Sequence, residues 1–200
     1  MRQLSLEILP ARAPTLDNFV AGANAELLQR MRELAEGRLA EPMVYLWGEA
    51  GSGRSHLLRA CTRSGIVRAD DVDALDEGAQ VALFNRINEV RESGGTVLAA
   101  GSVPPSQLAL REDLRSRLGW GLVYQVKPLS DAEKAIYLRA EGERRGMNLT
   151  DEVIWYLLSH VRRDMPFLDA LVEHLDRHSL AQQRRITLPL VREALRSIEH

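Results

Sequence analysis

The sequence has one cysteine, Cys61, among 200 residues, which excludes an internal disulfide framework and fits a reducing compartment. It has no apolar run approaching the length of a membrane span. Its first residues, MRQLSLEILPARAP, are too short and too polar for a signal-peptide core. These absences lead us to expect a cytoplasmic protein that meets no membrane. Charge of one sign is also lacking: 26 basic against 28 acidic residues leave a net charge of −2, so no global electrostatic footprint draws the chain onto nucleic acid. The length suits one core with a small appendage rather than two large domains.

Against these absences stands GEAGSGRS, Gly48 to Ser55, which follows the apolar run Met43 to Trp47 and leads into a helical pattern burying Leu57, Leu58 and Cys61. That is the context of a phosphate-binding loop, G-x-x-x-x-G-K-[ST]. Its glycines let backbone N–H groups turn inward around phosphate oxygens, and the following helix presents its N-terminal dipole to the same anion. On this reading Gly48, Gly51, Ser52, Gly53, Arg54 and Ser55 bind nucleotide, with Ser55 also a ligand of Mg²⁺. Arg54 stands where the motif has lysine. It keeps the charge but not the compact ammonium that reaches between phosphates.

The surrounding text alternates strand and helix. A helix is expected from about Asn24 to Glu36, then strands at Met43–Trp47, Ile66–Asp70, Thr96–Ala100 and Leu122–Val126, with a helix from Asp76 to Glu92 that turns Leu83, Phe84, Ile87 and Val90 inward. The stretch from Gln107 to Leu118 reads as irregular or helical. Such alternation argues for a parallel α/β sheet with a site along the carboxyl edge of its strands. Asp70 and Asp71 at a strand end suit a Walker B pair, the first holding Mg²⁺ through water and the second positioning the attacking water. Fourteen residues separate Ser55 from Asp70, room for one helix and a loop but not for the further strand and helix usual between these motifs. The missing strand would lie at the sheet edge, which makes the Asp70 strand an edge itself and gives Arg68 a role in discouraging edge-to-edge pairing.

After Pro128 the pattern turns all-helical. Ser130 with Glu133 forms a capping box, and three further stripes follow: Val153, Ile154, Leu157, Leu158, Val161; Phe167, Leu168, Leu171, Val172, Leu175; and Leu190, Val191, Ala194, Leu195, Ile198. We expect a flexible segment over 1–14, an α/β core over 15–129 and a helical lid over 130–200. His174 and His178, one turn apart, read as a solvated face rather than a metal site. Trp120, between two glycines, reads as a packing anchor rather than a platform for bases.

These residues carry a resemblance. TLDNFVAGANAELL, the loop, ADDVDAL, AAGSVPPSQL and above all LRSRLGWG followed by PLSDAEK resemble the AAA+ module of the replication initiator DnaA, and still more the Hda branch of that family, which lacks the DNA-binding domain. The resemblance implies an AAA+ P-loop core without its usual second strand, followed by a small all-α lid. It implies that Arg117 is the arginine finger, a cation that one subunit inserts into its neighbour's nucleotide site, with Arg115 as the alternative. Gln3, Leu4, Ser5 and Leu6 are similar to the peptide that docks on the sliding clamp of DNA polymerase III, although Glu7 stands where an apolar residue often completes that motif. The sensor 1 position falls on Ser102, and the sensor 2 arginine is replaced by Pro166, with Arg162 and Arg163 nearby.

The function implied is negative regulation of replication initiation: clamp binding, and stimulation of ATP hydrolysis by DnaA through Arg117 in trans. The implied ligand of the chain's own loop is ADP or ATP, with Mg²⁺ on Ser55 and Asp70. Partners would be DnaA and the clamp, with a homo-oligomer allowed and no sequence-specific DNA contact, since the chain ends at the third lid helix without a helix-turn-helix module. Arg54, Ser102 and Pro166 weigh against self-catalysed hydrolysis. The alternative is an active AAA+ ATPase of the helicase-loader or transposition-helper type.

Overall fold

The computed structural model describes residues 13–198. These fall into two compact units, divided after Pro128. In the first, strands β1 (Met43–Trp47), β2 (Ile66–Ala69), β3 (Thr96–Gly101) and β4 (Leu122–Gln125) form one parallel sheet in the order β2-β3-β1-β4. The central β1 is nearly all apolar and buried, as a parallel strand covered on both faces must be. Its alternate residues serve two cores. Val44 and Leu46 pack with Leu27, Met31 and Leu34 of helix α1 (Ala25–Glu36) and Leu57 and Leu58 of α2 (Arg54–Ala60). Met43 and Tyr45 pack with Leu83, Ile87 and Val90 of α3 (Glu77–Glu92) and Leu114 and Leu118 of α4 (Glu112–Leu118).

The short connection between the loop and Asp70 has the expected result. The chain passes from α2 directly into β2, which among the described residues pairs only with β3 and forms the sheet edge, with Arg68 exposed on it. A charge at an exposed edge opposes strand addition by another chain.

Several expected boundaries shift. Strand β2 stops at Ala69 and Asp70 lies just beyond it; β4 stops at Gln125, although Val126 N–H still reaches the Trp47 carbonyl at 2.7 Å. Cys61 is the residue after α2 rather than part of it, fully buried, and burial pushes its thiol up to about 11. The stretch read as irregular or helical resolves into a short 3-10 turn at Pro105–Gln107 and α4.

The second unit is all-helical: α5 (Asp131–Arg144), α6 (Asp151–His160), α7 (Met165–Gln182) and α8 (Leu188–Ile198). Its three anticipated stripes meet in one core that includes Ile154, Leu157, Leu168, Leu171, Leu190 and Val191. The capping box opens α5: Ser130 Oγ accepts from Glu133 N–H at 3.2 Å, and the Glu133 carboxylate accepts from Ser130 N–H at 2.8 Å. Buried Glu141 accepts from Arg144 and Arg145 (2.6–2.8 Å), which carries its carboxyl down to about 2 despite the opposing effect of burial. His174 and His178 are half-buried rather than solvated: burial lowers the His174 imidazole, and His178 Nε2 lies 3.0 Å from Gln182 Nε2. No helix among the described residues is long and apolar enough to cross a membrane.

Candidate functional site

Parallel pairing sets the strand ends level. Trp47 is opposite Gly101 and Gln125, and Ala69 is opposite Ala99. The segments after β1, β2 and β3 therefore leave the sheet at one edge, which brings the loop, Asp70–Asp73 and Ser102 to the same side.

The loop is enclosed more than an ordinary turn. Gly48 and Ser52 are buried, Arg54 and Ser55 partly so, and Gly51 is exposed. Gly53 has φ 104°, and an added Cβ would lie 2.7 Å from the Phe19 ring, so the position demands glycine both for its backbone and for its neighbour. Phe19 belongs to the segment before α1, and that segment is tied down twice. His56 Nε2 meets the Thr15 carbonyl at 2.8 Å, and buried Asn24 bonds both the N–H and the carbonyl of Lys127 at 2.8 Å each. Two loop atoms are buried without a hydrogen-bond partner among the described residues, Ser52 Oγ and Arg54 Nη1. Buried polar groups are almost always satisfied, so this pair in a glycine loop fits a phosphate acceptor that completes it.

The acidic cluster divides its contacts between its own backbone and Ser102. Asp70 turns one oxygen onto the N–H of Asp71 at 3.0 Å, and Asp71 is exposed in a left-handed conformation (φ 47°). The carboxylate that reaches Ser102, the expected sensor 1 position, is Asp73. It accepts from Ser102 N–H at 3.0 Å and Ser102 Oγ at 2.7 Å. Burial alone would raise the Asp73 carboxyl, but these bonds and the Arg54 charge hold it below its usual range. Below it Tyr45 donates to the Val103 carbonyl at 2.9 Å, and burial together with the Asp73 charge pushes its phenol upward. Gly101 leaves room for both, since a Cβ there would run into the Tyr45 hydroxyl and the Asp73 carboxylate. In the sequence Asp73 is the next acid after the Asp70–Asp71 pair, and its spacing alone assigns it no role. The missed signal was the β2–β3 adjacency, which sets residues just past β2 beside the residue that ends β3.

Arg117 lies in the last turn of α4 and is half-buried. Its guanidinium carbon sits 3.9 Å from the centre of the Trp120 ring and 5.7 Å from that of Phe84 on α3, and its Nη1 is buried without a hydrogen-bond partner. Arg111, by contrast, is paired with Asp113 at 2.8 Å. Trp120 is 60% exposed, which corrects the expectation of a packing anchor: its ring carries two cations, Arg117 and, at 5.6 Å, Arg91. In the helical unit Pro166 occupies the first turn of α7, where a missing N–H costs little. Arg162 pairs with Asp164 and Arg163 with Asp131. Gln3, Leu4, Ser5 and Leu6 lie outside the described residues.

Residues 131–195 match the family model described as Hda, lid domain. A protein of Haemophilus influenzae described as uncharacterized is 31% identical, covering 97% of this chain and 98% of that one. The chain belongs to the Hda/DnaA-related AAA+ family. Among solved structures, domain III of the Thermotoga maritima replication initiation protein DnaA superposes with a TM-score of 0.73 at 20% identity, covering 94% of this chain and 98% of that one. DnaA from Aquifex aeolicus bound to AMPPCP superposes with a TM-score of 0.66 at 20% identity, covering 80% and 64%. Family membership accounts for the parallel core followed by a helical lid.

Proposed function

We propose that this chain is an Hda-like negative regulator of replication initiation. Residues 1–14 tether it, with Gln3, Leu4, Ser5 and Leu6 docking on the sliding clamp of DNA polymerase III. The core of residues 15–129 meets ATP-bound DnaA, and Arg117 completes DnaA's nucleotide site in trans, so that hydrolysis leaves the ADP form. Residues 130–200 form the lid. Tethering raises the effective concentration of a weak partner contact without any new interaction between the two proteins.

The observation that carries this reading is the state of Arg117. Among the described residues no carboxylate pairs with it, and its guanidinium rests on aromatic rings with one nitrogen unsatisfied. An arginine spent on structure is normally paired. One meant for charge developing on a partner's phosphoryl group must be held without being neutralised. The chain's own loop supports a retained ligand, ADP or ATP, in keeping with the AMPPCP-bound DnaA relative. Ser52 Oγ, Arg54 and the loop N–H groups would hold phosphate, and Ser55 and Asp70 would hold Mg²⁺. Bound nucleotide there stabilises the module.

The test is DnaA-bound nucleotide after incubation with this protein and clamp-loaded DNA. Arg117→Ala and Leu4→Ala are each expected to leave DnaA in its ATP form. Wild-type conversion by either variant contradicts the role given to that residue. ATP turnover by the isolated chain, abolished by Asp70→Ala, would favour the active ATPase instead.

A further inference from the structure

Trp120 is where the structure departs most from what its sequence context suggests. A large aromatic between Gly119 and Gly121 is expected to anchor packing, yet most of its surface is open. Trp120 N–H bonds the Arg117 carbonyl at 3.2 Å and closes the end of α4. That turn brings the indole onto the Arg117 guanidinium, which also lies 5.7 Å from the Phe84 ring centre, and Arg91 lies over the same indole. The indole face is negative, so it attracts a guanidinium without removing its charge, as a carboxylate would. A flexible side chain of high rotamer entropy is thereby held in one orientation without a carboxylate to neutralise it.

We infer that Trp120 is a positioning residue: its indole holds the Arg117 guanidinium in the orientation in which it meets a nucleoside triphosphate bound by a second AAA+ subunit. This rests on the trans-acting role of Arg117 above and adds a residue on which that role depends. Arg91, 5.6 Å from the centre of the same ring, adds a second positive charge beside it. Orientation lost at a group acting on the transition state lowers the maximal rate rather than partner affinity.

The experiment measures single-turnover hydrolysis of ATP preloaded on DnaA against the concentration of full-length chain, so that maximal rate and half-saturating concentration are read separately. Trp120→Ala is expected to lower the maximal rate about tenfold and to move half-saturation less than about threefold, with Trp120→Phe recovering most of the rate. Thermal unfolding midpoints are expected to stay together. In protein with ¹⁵N-labelled arginine, the Arg117 Nε–H proton is expected upfield under the indole ring current and released from it in Trp120→Ala. A wild-type maximal rate in Trp120→Ala, a change in half-saturation alone, failure of Trp120→Phe to rescue, or an unmoved Arg117 resonance overturns the inference. If Arg117→Ala abolishes stimulation while Trp120→Ala does not, the positioning role falls by itself. If Arg117→Ala stimulates like the wild type, the trans-acting reading falls first and the positioning role with it.

Discussion

The α/β unit and the helical unit treat buried polarity in opposite ways. Among the described residues Ser52 Oγ, Arg54 Nη1, Asn88 Oδ1 and Arg117 Nη1 are buried without hydrogen-bond partners, and all four belong to the α/β unit. In the helical unit the buried carboxylate of Glu141 is met by Arg144 and Arg145, and Arg145 also lies 3.6 Å from Asp176. A unit that satisfies its own buried charge is complete as it stands, whereas orphaned groups mark where something else finishes the structure. The family signature at residues 131–195 thus sits in the self-sufficient unit. The proposed chemistry falls in the other unit.

Substitutions can break this contrast. The largest effect on stability is expected from Glu141→Ala, which strands Arg145, 11% exposed, without its main partner. The cost is about 3 kcal/mol, read by urea unfolding, with stimulation of DnaA retained below the transition. A smaller effect comes from acid. The Glu141 carboxyl lies near 2 when folded against 4.5 ordinarily, so its contribution is complete above about pH 4.5 and disappears as pH falls toward 2. That contribution is on the order of 2 kcal/mol, seen as the part of the pH–stability curve that Glu141→Gln removes.

In the α/β unit, removing an orphaned group is expected to cost nothing. Arg54→Met should be neutral or stabilising by about 1 kcal/mol without nucleotide, because a partly buried arginine with one buried, unsatisfied nitrogen is exchanged for an apolar chain. It should also lose any rise in melting temperature on adding ADP with Mg²⁺. A loss of stability as large as that of Glu141→Ala would erase the distinction between the units. The smallest effect is expected from Ser102→Ala. Loss of the 2.7 Å bond to Asp73 costs about 1 kcal/mol and lets the Asp73 carboxyl rise toward its usual range, which an NMR titration detects.

The architecture was largely legible because local signals agreed with one another. The apolar run at β1, the glycines of the loop and the capping box at Ser130 each state their conformation within a few residues, and the short path from Ser55 to Asp70 by itself puts β2 at the edge. The site was less legible because its contacts join strands that neighbour only in space. Asp73 rather than Asp70 or Asp71 meets Ser102, through the pairing of β2 with β3. Trp120 looked like core by composition, but the turn after α4 leaves it outside with Arg117 on its face. Spacing gives the identity of an arginine and says nothing of what holds it.

The central claim is that the useful chemistry belongs to Arg117 and occurs in another molecule's site. It is tested most directly by the hydrolysis rate of ATP preloaded on DnaA, with no free nucleotide, after mixing with wild-type chain or Arg117→Ala. The account expects the variant to fall short of the wild-type stimulation by about 10³-fold. Equal rates with the two proteins would contradict it.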